Sequence, residues 1–406
     1  MRQSAQRFRI GLVVPSLEWD GGIPSVAAFV CDTIERSGAF DLTLVSLAVA
    51  ARDELGVALT RPTSWFRGVR TSEGLWRGRR FTRVGAFCSE LEFQRYQPRS
   101  ALTTVLAQCD LIQVIGGSPA WAWSVCGLGK PIAVHCATRA VAERRTRRTL
   151  ERDALGLWRR CMTTVVDRME RRALQSVDAI QAMNAWMLEY AQQLNKQRRV
   201  ILRRVTPGID AARFRPSASR DRQSERYILC VGRLNDERKN LDLLLRAFSM
   251  LPSTLQATTR LLLAGAVGPP ITFWHRARHF RISDRIRVIE SPTIAELVAL
   301  YQNATVFALT SNEEGFGVVI IEAMACGLPV VSTRSGGPDE IIRDGRDGYL
   351  VALDDAIAFA DRLERLLVND ELATNVGLAA RQTILANYDS QITGRALLST
   401  YNALLQ

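Results

Sequence analysis

Lysine is almost missing from this 406-residue chain: Lys130, Lys196 and Lys239 are the only three among 53 basic residues. The chain's positive charge is therefore carried by arginine. Histidine is as scarce, with only His135, His275 and His279. The eight cysteines are scattered and form no C-x-x-C pair. Together these shortages argue against a zinc site. Disulfides are not implied in a chain of this size, so the cysteines read as buried reduced thiols of a cytoplasmic protein. No run of about 18 apolar residues occurs, so no membrane-spanning helix is expected. The N-terminal "IGLVV" is cut off by Pro15 and reads as a first strand, not as the apolar core of a signal peptide.

What is present is ordinary globular composition, 47% hydrophobic and 23% charged, which speaks against disorder. The length suits two domains of about 200 residues each. The net charge of +12 is placed unevenly. Residues 1–206 hold 31 basic and 18 acidic residues, a net +13, whereas residues 207–406 hold 22 and 23, a net −1. Genome composition explains a preference for arginine, but not an asymmetry between halves.

Both halves alternate strand and helix, the pattern of an open α/β sheet. In the first, "RFRIGLVV", "LTLVSLA", "CDLIQVIGG" and "KPIAVHCA" are strands. A helix follows the loop "PSLEWDGG", with Val26, Phe29, Val30 and Ile34 on one face. The stretch 139–172 reads as an arginine-rich helical segment, and "TPGIDAARFRPSASRDRQSER" as the connector between domains. The second half has five short apolar strands, "RYILCVG", "RLLLAGA", "RIRVIES", "TVFALTS" and "PVVST", with helices between. The expected domains are 1–206 and 207–385, with a C-terminal helix over 386–406 returning towards the first. Both would be doubly wound, with ligands bound beyond the carboxyl ends of the strands, in a cleft between domains. Trp121, Trp123 and Phe87 read as core, and Asp210 and Asp339 as turn or cap residues.

The chemistry concentrates in "TSNEEGFGVVIIEAMACGLPVVST". Glu314 falls in a loop at a strand's carboxyl end. Gly315 and Gly317 flank Phe316 where the next helix starts, and free amides there suit an anion or hydroxyl. The helix is expected to stop at Gly327, with Pro329 beyond. Glu322 is its only ionisable residue. Either local donors cap that carboxylate, or it accepts the hydroxyls of a vicinal diol such as a ribose; the residue by itself leaves both open. In "CVGRLNDERKN", Arg233 and Lys239 set two cations near a strand end, a surface pair or a diphosphate site. Arg238 competes with Lys239 for the second place. The Gly21-Gly22 turn before the first helix is either tight-turn chemistry or a place for close approach to a phosphate. His135, at the end of "PIAVH", alone reads as a hydrogen-bonded structural histidine.

The pattern E-G-F-G-x4-E-A-M-A-x-G-x-P-V-V closely resembles the E-x7-E signature of retaining glycosyltransferases of family 4, which have the GT-B fold. "SGGPDEIIRDGRDGYLV", "PGIDAARFRP", "VGRLNDERKN", "DGGIPSVAAFV" and "IAVHCA" resemble further segments of that family, in order along nearly the whole chain; Pro207 stands where asparagine is usual. The resemblance implies transfer of a sugar from a nucleotide-diphosphate sugar to an acceptor hydroxyl. It implies Arg233 and Lys239 on the donor diphosphate, and Glu314 with the amides of Gly315, Phe316, Gly317 and Val318 on the sugar. Glu322 would hold the ribose, Gly21 and Gly22 would approach the donor phosphates, and His135 would stand near the reacting carbon. Front-side attack is implied, with the leaving phosphate taking the acceptor's proton, so no enzyme nucleophile is required. No D-x-D occurs to hold a divalent ion on the diphosphate, and the expectation is a metal-independent enzyme without a cofactor.

Three rivals remain at this stage. A sugar-nucleotide epimerase of the same fold would need further acid/base groups. A glycosidase would need two carboxyls flanking one bond. A binding protein would be a nucleic-acid binder without a recognised module or an inactive partner subunit in glycan synthesis. The expected setting is bacterial cell-surface glycan or glycolipid synthesis with a glycan or lipid-linked acceptor, and no nucleic acid. The basic first half, with "SWFRGVR", "GLWRGRR" and "LWRRC", also suggests peripheral contact with the anionic inner face of the membrane.

Overall fold

The computed structural model describes residues 7–17, 22–50, 53–144, 154–217 and 226–406. They form two compact units. Unit 1 contains the N-terminal strand, Ile23–Thr206 and the C-terminal Thr393–Gln406; unit 2 is Pro207–Ile392 together with Gly22.

Unit 1 is built on an eight-stranded sheet: β1 Phe8–Val14, β2 Phe40–Leu47, β3 Thr71–Trp76, β4 Arg79–Val84, β5 Leu111–Gly116, β6 Ile132–Cys136, β7 Ala179–Ala182 and β8 Ile201–Arg204. Their order across the sheet is β3-β4-β2-β1-β5-β6-β7-β8. All pairings are parallel except the β3–β4 hairpin. The central strands are buried on both faces, which is why they read as unbroken apolar runs. Val13, Val45, Ile112, Val114, Val134 and Ile180 pack with Val166, Met169 and Ala173 of the helix Ala154–Ser176. The hairpin differs: its strands face solvent, and its turn places Arg77 and Gly78 at φ 50° and 79°.

Unit 2 has a six-stranded, all-parallel sheet: β9 Arg226–Val231, β10 Thr259–Gly265, β11 Ile286–Glu290, β12 Val306–Leu309, β13 Val330–Thr333 and β14 Tyr349–Val351. The order is β11-β10-β9-β12-β13-β14. Its core joins Ile228, Leu261, Leu263 and Val306 to Leu244, Phe248, Phe359 and Leu363.

Each sheet has a place where the chain's strand order reverses, between β1 and β5 in unit 1 and between β9 and β12 in unit 2. Loops leaving the two adjacent strands there diverge and leave a crevice at the carboxyl edge.

Several sequence expectations need correction. Unit 2 has six strands, not five, because the three-residue β14 carries too little pattern to read. In unit 1 the hairpin and the short β7 and β8 escaped notice for the same reason. Within 139–172 the described helices are Ala140–Glu143 and one starting at Ala154, while 145–153 lies outside the described residues. Trp121 is buried and Trp123 half-buried, but Phe87 is exposed and is not core. The cysteines are all unpaired, yet Cys161 is exposed and Cys126 half-buried.

Candidate functional site

The loops after β9 and β12 carry the charged motif residues and are stitched to one another. Thr310 Oγ1 donates to the Lys239 carbonyl at 2.9 Å, and the Asn312 amide donates to the Arg238 carbonyl at 2.7 Å. Asn240 Nδ2 donates to Asn312 Oδ1 at 2.9 Å, while Asn240 Oδ1 accepts the Leu243 amide and so caps the helix Leu241–Ser249. These bonds hold the two loops at the strand-order reversal of unit 2.

Across that point Lys239 Nζ meets Glu314 Oε2 at 2.5 Å, and both side chains are largely shielded from solvent. Ser311 Oγ lies 3.4 Å from the same carboxylate oxygen. Arg238 turns the other way, onto Asp236 at 2.8 Å. The geometry therefore chooses Lys239, not Arg238, as the cation beside Glu314. Arg233 approaches Asp236 at 3.2 Å, with its own side chain half-exposed. Burial works to raise the Asp236 carboxyl, but the hydrogen bonds and charge of Arg238 and the charge of Arg233 outweigh it and hold it at about 2. Asp236 thus remains an anion that orients both arginines.

The E-G-F-G stretch has its own constraints. Gly317 is the N-cap of the helix Val318–Ala325, at φ 97°, a left-handed conformation suited to glycine. The first amides of that helix, from Val318 on, have no partner within it. Phe316 is buried and packs edge-on against Tyr388, with ring centroids 6.1 Å apart. The Glu314 amide donates to the Ser335 carbonyl and the Gly337 amide to the Glu314 carbonyl, each at 2.8 Å. A Cβ on Gly337 would stand 2.2 Å from the Phe316 carbonyl oxygen, so only glycine fits there. Asp339 caps this turn, accepting the Gly336 amide at 2.9 Å, and Asp210 accepts the amides of Ala212 and Arg213 in another.

Glu322 is buried and accepts from the Tyr301 hydroxyl at 2.8 Å. A local donor therefore does satisfy one oxygen of this carboxylate. Burial, with the adjacent Glu322 charge, pushes the Tyr301 phenol well above its ordinary range, so it stays a donor. Sequence reading missed Tyr301. It lies in the helix Ile294–Asn303, and no spacing rule links it to a residue 21 positions away.

In unit 1, His135 lies within β6 and is fully buried. Its Nε2 is 2.7 Å from the Val205 carbonyl, which can only accept, so Nε2 carries the proton; Nδ1 has no partner. Burial lowers its pKa to about 4, only partly opposed by the Val205 bond, and the imidazole is neutral near pH 7. Glu170 was also missed. It is buried beneath the ends of β5 and β6, where Oε1 accepts from Ser118 Oγ at 2.6 Å and the Ala140 amide at 2.7 Å. Burial raises its pKa to about 7 against those bonds and Arg139. Gly22 opens the helix Gly22–Ser37; Gly21 lies outside the described residues.

A cavity of about 300 Å³ opens between the helices Leu241–Ser249 and Ile271–His279, floored by Leu234, Leu241, Leu245 and Phe273. Lys239 and Glu314 do not line it, and its Asp242 is already bound by Arg276 and Arg246. Among the described residues no cluster of three histidine, cysteine or carboxylate side chains is placed to hold a metal ion.

Residues 213–383 match the family model described as glycosyl transferases group 1. N-acetyl-alpha-D-glucosaminyl L-malate synthase of Bacillus anthracis is 31% identical over 170 residues, 42% of this chain and 43% of that protein. D-inositol 3-phosphate glycosyltransferase of Corynebacterium urealyticum is 33% identical over 217 residues, 49% of this chain and 50% of the other. The chain spans about half the length of the curated relatives it matches. Among solved structures, sucrose-phosphate synthase from Thermosynechococcus elongatus superposes with a TM-score of 0.72 at 20% identity, over 98% of this chain and 99% of that one. Anabaena HepE in complex with UDP and glucose gives 0.69 at 14% identity, over 98% and 100%.

Proposed function

The chain has the GT-B fold, and from the site in unit 2 we infer that it is a retaining, metal-independent glycosyltransferase of the E-x7-E type. The observation that carries this reading is the Lys239–Glu314 pair, at the strand-order reversal of unit 2 and inside the matched residues 213–383. In this reading Arg233 and Lys239 receive the growing charge of the leaving diphosphate. Preplaced charge of that kind lowers a transition state without reorganisation. Glu314, positioned by Lys239 and Ser311, accepts from sugar hydroxyls, and the amides of Phe316, Gly317 and Val318 donate to sugar oxygens. Tyr301 fixes the orientation of Glu322, which in this reading accepts from the ribose diol. His135, neutral, supplies an acceptor at Nδ1 and not a charge. The leaving phosphate takes the acceptor's proton, which fits a site without an activated nucleophile.

A glycosidase would use the two glutamates as acid and nucleophile flanking one bond. Glu314 is instead charge-paired and Glu322 buried against a phenol. The reading extends to a cytoplasmic enzyme that serves a glycan or lipid-linked acceptor of cell-surface synthesis, in peripheral contact with an anionic membrane. No described helix is long and apolar enough to cross a membrane. The test is incubation with a panel of nucleotide sugars while nucleoside diphosphate is monitored. Release with one donor and retention of its anomeric configuration in the product support the reading. Failure to bind or cleave any donor overturns it.

A further inference from the structure

The basic excess of unit 1 invites a search for the surface that uses it. In the stretch 139–172, three of the described arginines are already engaged: Arg139 and Arg171 pair with Asp167, and Arg144 with Glu92. The loop between β2 and β3 is different. Phe66 is 95% exposed and Trp65 57%, with Leu59 exposed on the same loop. Phe87 joins them, because a parallel bridge sets it beside Val57 just past the end of β4.

This loop is fastened, not loose. Ser64 Oγ accepts the Ala58 amide at 3.0 Å and donates to the Arg61 carbonyl at 2.6 Å. The Trp65 indole donates to the Ala58 carbonyl at 2.8 Å. Arg61 and Arg70 donate to the backbone carbonyls of Asp53 and Glu54 at 2.6 and 2.7 Å. Gly85 lets the loop close onto β4, since a Cβ there would meet the Leu55 carbonyl oxygen at 2.1 Å. A bare phenylalanine is thus presented to solvent by a hydrogen-bonded scaffold. Among the described residues no carboxylate pairs with Arg61, Arg67 or Arg70. The one nearby aspartate, Asp53, is bound by Arg83.

We propose that the loop from Asp53 to Arg70 is a membrane-docking wedge: Phe66, Trp65 and Leu59 enter the interface of an anionic lipid surface while Arg61, Arg67 and Arg70 meet its headgroups. An apolar tip with a half-anchored indole and uncompensated arginines matches the layering of a lipid interface. A second copy of this chain would set like charges against each other. A soluble anionic glycan would use the arginines but would leave Phe66 without purpose. The wedge stands at the carboxyl edge of unit 1, where an α/β sheet binds its ligands, so docking brings a lipid-borne hydroxyl to the acceptor side. The proposal deepens the membrane-associated reading above and rests on it for that last step.

The test is co-sedimentation of the full chain with vesicles of phosphatidylcholine alone and of phosphatidylcholine with an equal part of phosphatidylglycerol. Binding is expected only to the anionic vesicles and is lost at 1 M salt, where the Debye length is about 3 Å. Phe66→Asp is expected to weaken it at least about tenfold, since a buried phenyl ring is replaced by a charge. Arg67→Gln with Arg70→Gln should weaken it further. Phe66 supports no core, so an unchanged melting temperature of the Phe66→Asp protein confirms that folding is intact. Equal binding to neutral vesicles, absence of binding to either, or an unaffected Phe66→Asp protein overturns the wedge. So does a dimer in light scattering that Phe66→Asp abolishes, which would assign the patch to a second copy. Donor cleavage measured without vesicles reports separately on the transferase reading, and Phe66→Asp should leave it unchanged.

Discussion

Thirteen buried side-chain nitrogen and oxygen atoms lack a hydrogen-bond partner among the described residues, and only Thr259 Oγ1 belongs to unit 2. The other twelve lie in unit 1, on residues that include Glu90, Gln113, His135, Glu170 and Gln181. The charged groups of the unit 2 site instead find one another: Lys239 with Glu314, Arg233 and Arg238 with Asp236, Tyr301 with Glu322. Unit 1 forms ion pairs too, such as Arg139 with Asp167 and Arg144 with Glu92, but unlike unit 2 it also buries ionisable groups that keep an unpartnered atom. Unit 2 keeps the charges of its site and pairs them. Unit 1 buries two groups and suppresses their charge, with His135 held neutral and the Glu170 carboxyl raised to about 7. A site for a dianionic donor needs the first arrangement; a site for an uncharged hydroxyl is served by the second.

The strongest challenge to this contrast is removal of a paired cation. Lys239→Ala or Arg233→Ala is expected to lower turnover a hundredfold or more, the loss of about 3 kcal/mol of transition-state stabilisation. Circular dichroism should show an intact fold. Lys239→Ala also releases Glu314, so it should raise the KM for the donor as well, whereas Arg233→Ala, next to the intact pair, should act mainly on kcat. Near-normal turnover in both variants would end the assignment of unit 2 as the diphosphate site.

The meeting of the charged motif residues of unit 2 was legible in the sequence because they stand where strands end. Arg233 follows β9 and Glu314 follows β12, and an open sheet brings carboxyl ends together whatever lies between. Lys239 and Glu314, 75 positions apart, could be assigned to one place on that ground. What was illegible depended on side-chain aim. Nothing in "LVALYQNA" says that Tyr301 points at Glu322, because an apolar helix seam tolerates a phenol anywhere along it. Arg238 and Lys239 are equivalent as letters and separate only when Asp236 captures one of them. Unit 1 was harder for a different reason. Its hairpin and its loop from Asp53 to Arg70 face solvent, so periodic burial leaves little trace, and Phe87 was assigned to a core it does not enter.

Unit 1's suppressed charges predict a pH signature. Glu170 has a folded pKa above its ordinary 4.5, so its contribution to stability is complete below that pH and is lost as the pH rises through about 7. His135 has a folded pKa below its ordinary 6.5, so its contribution is complete above that pH and is lost as the pH falls through about 4. Each shift corresponds to roughly 3 kcal/mol at its far end, and the two oppose each other across one window. Glu170→Gln should therefore make stability rise with pH between about 4 and 6.5, and His135→Asn should make it fall between about 4.5 and 7. Seven of the eight tryptophans lie in residues 1–206, so urea unfolding followed by tryptophan fluorescence reads this unit. Parallel pH profiles for the wild type and both variants would remove the suppression argument.

A smaller effect separates Glu322's two roles. Glu322→Gln keeps the side chain's size and a partner for Tyr301 but loses the anionic acceptor. Nucleoside-diphosphate affinity should fall about tenfold by calorimetry, the scale of one charge-assisted hydrogen bond, while the melting temperature moves little. Tyr301→Phe should show the reverse balance. It leaves a buried carboxylate oxygen without its donor, costing about 1–3 kcal/mol of stability, with the nucleotide's own contacts retained. Unchanged nucleotide affinity in Glu322→Gln would leave the carboxylate a purely structural partner of the phenol.

The smallest expected effect is none at all, and it probes the same pairing from outside. A divalent ion on a sugar-nucleotide's diphosphate neutralises charge that would otherwise oppose departure of the leaving group. On the proposed reading that task falls in unit 2 to Arg233 and Lys239, one oriented by Asp236 and the other by Glu314, with the helix amides beyond Gly317 at the same edge. Arginine cannot lose its proton in the working pH range, and Lys239 is fixed by a carboxylate 2.5 Å away. Both cations are side chains of the chain itself and need no loading. Turnover should therefore be unchanged in excess chelator and unchanged by added magnesium or manganese. Loss of activity on chelation, with recovery on adding either ion, would show that the paired cations of unit 2 serve stability or donor binding alone, and that the charge of the leaving group is met elsewhere.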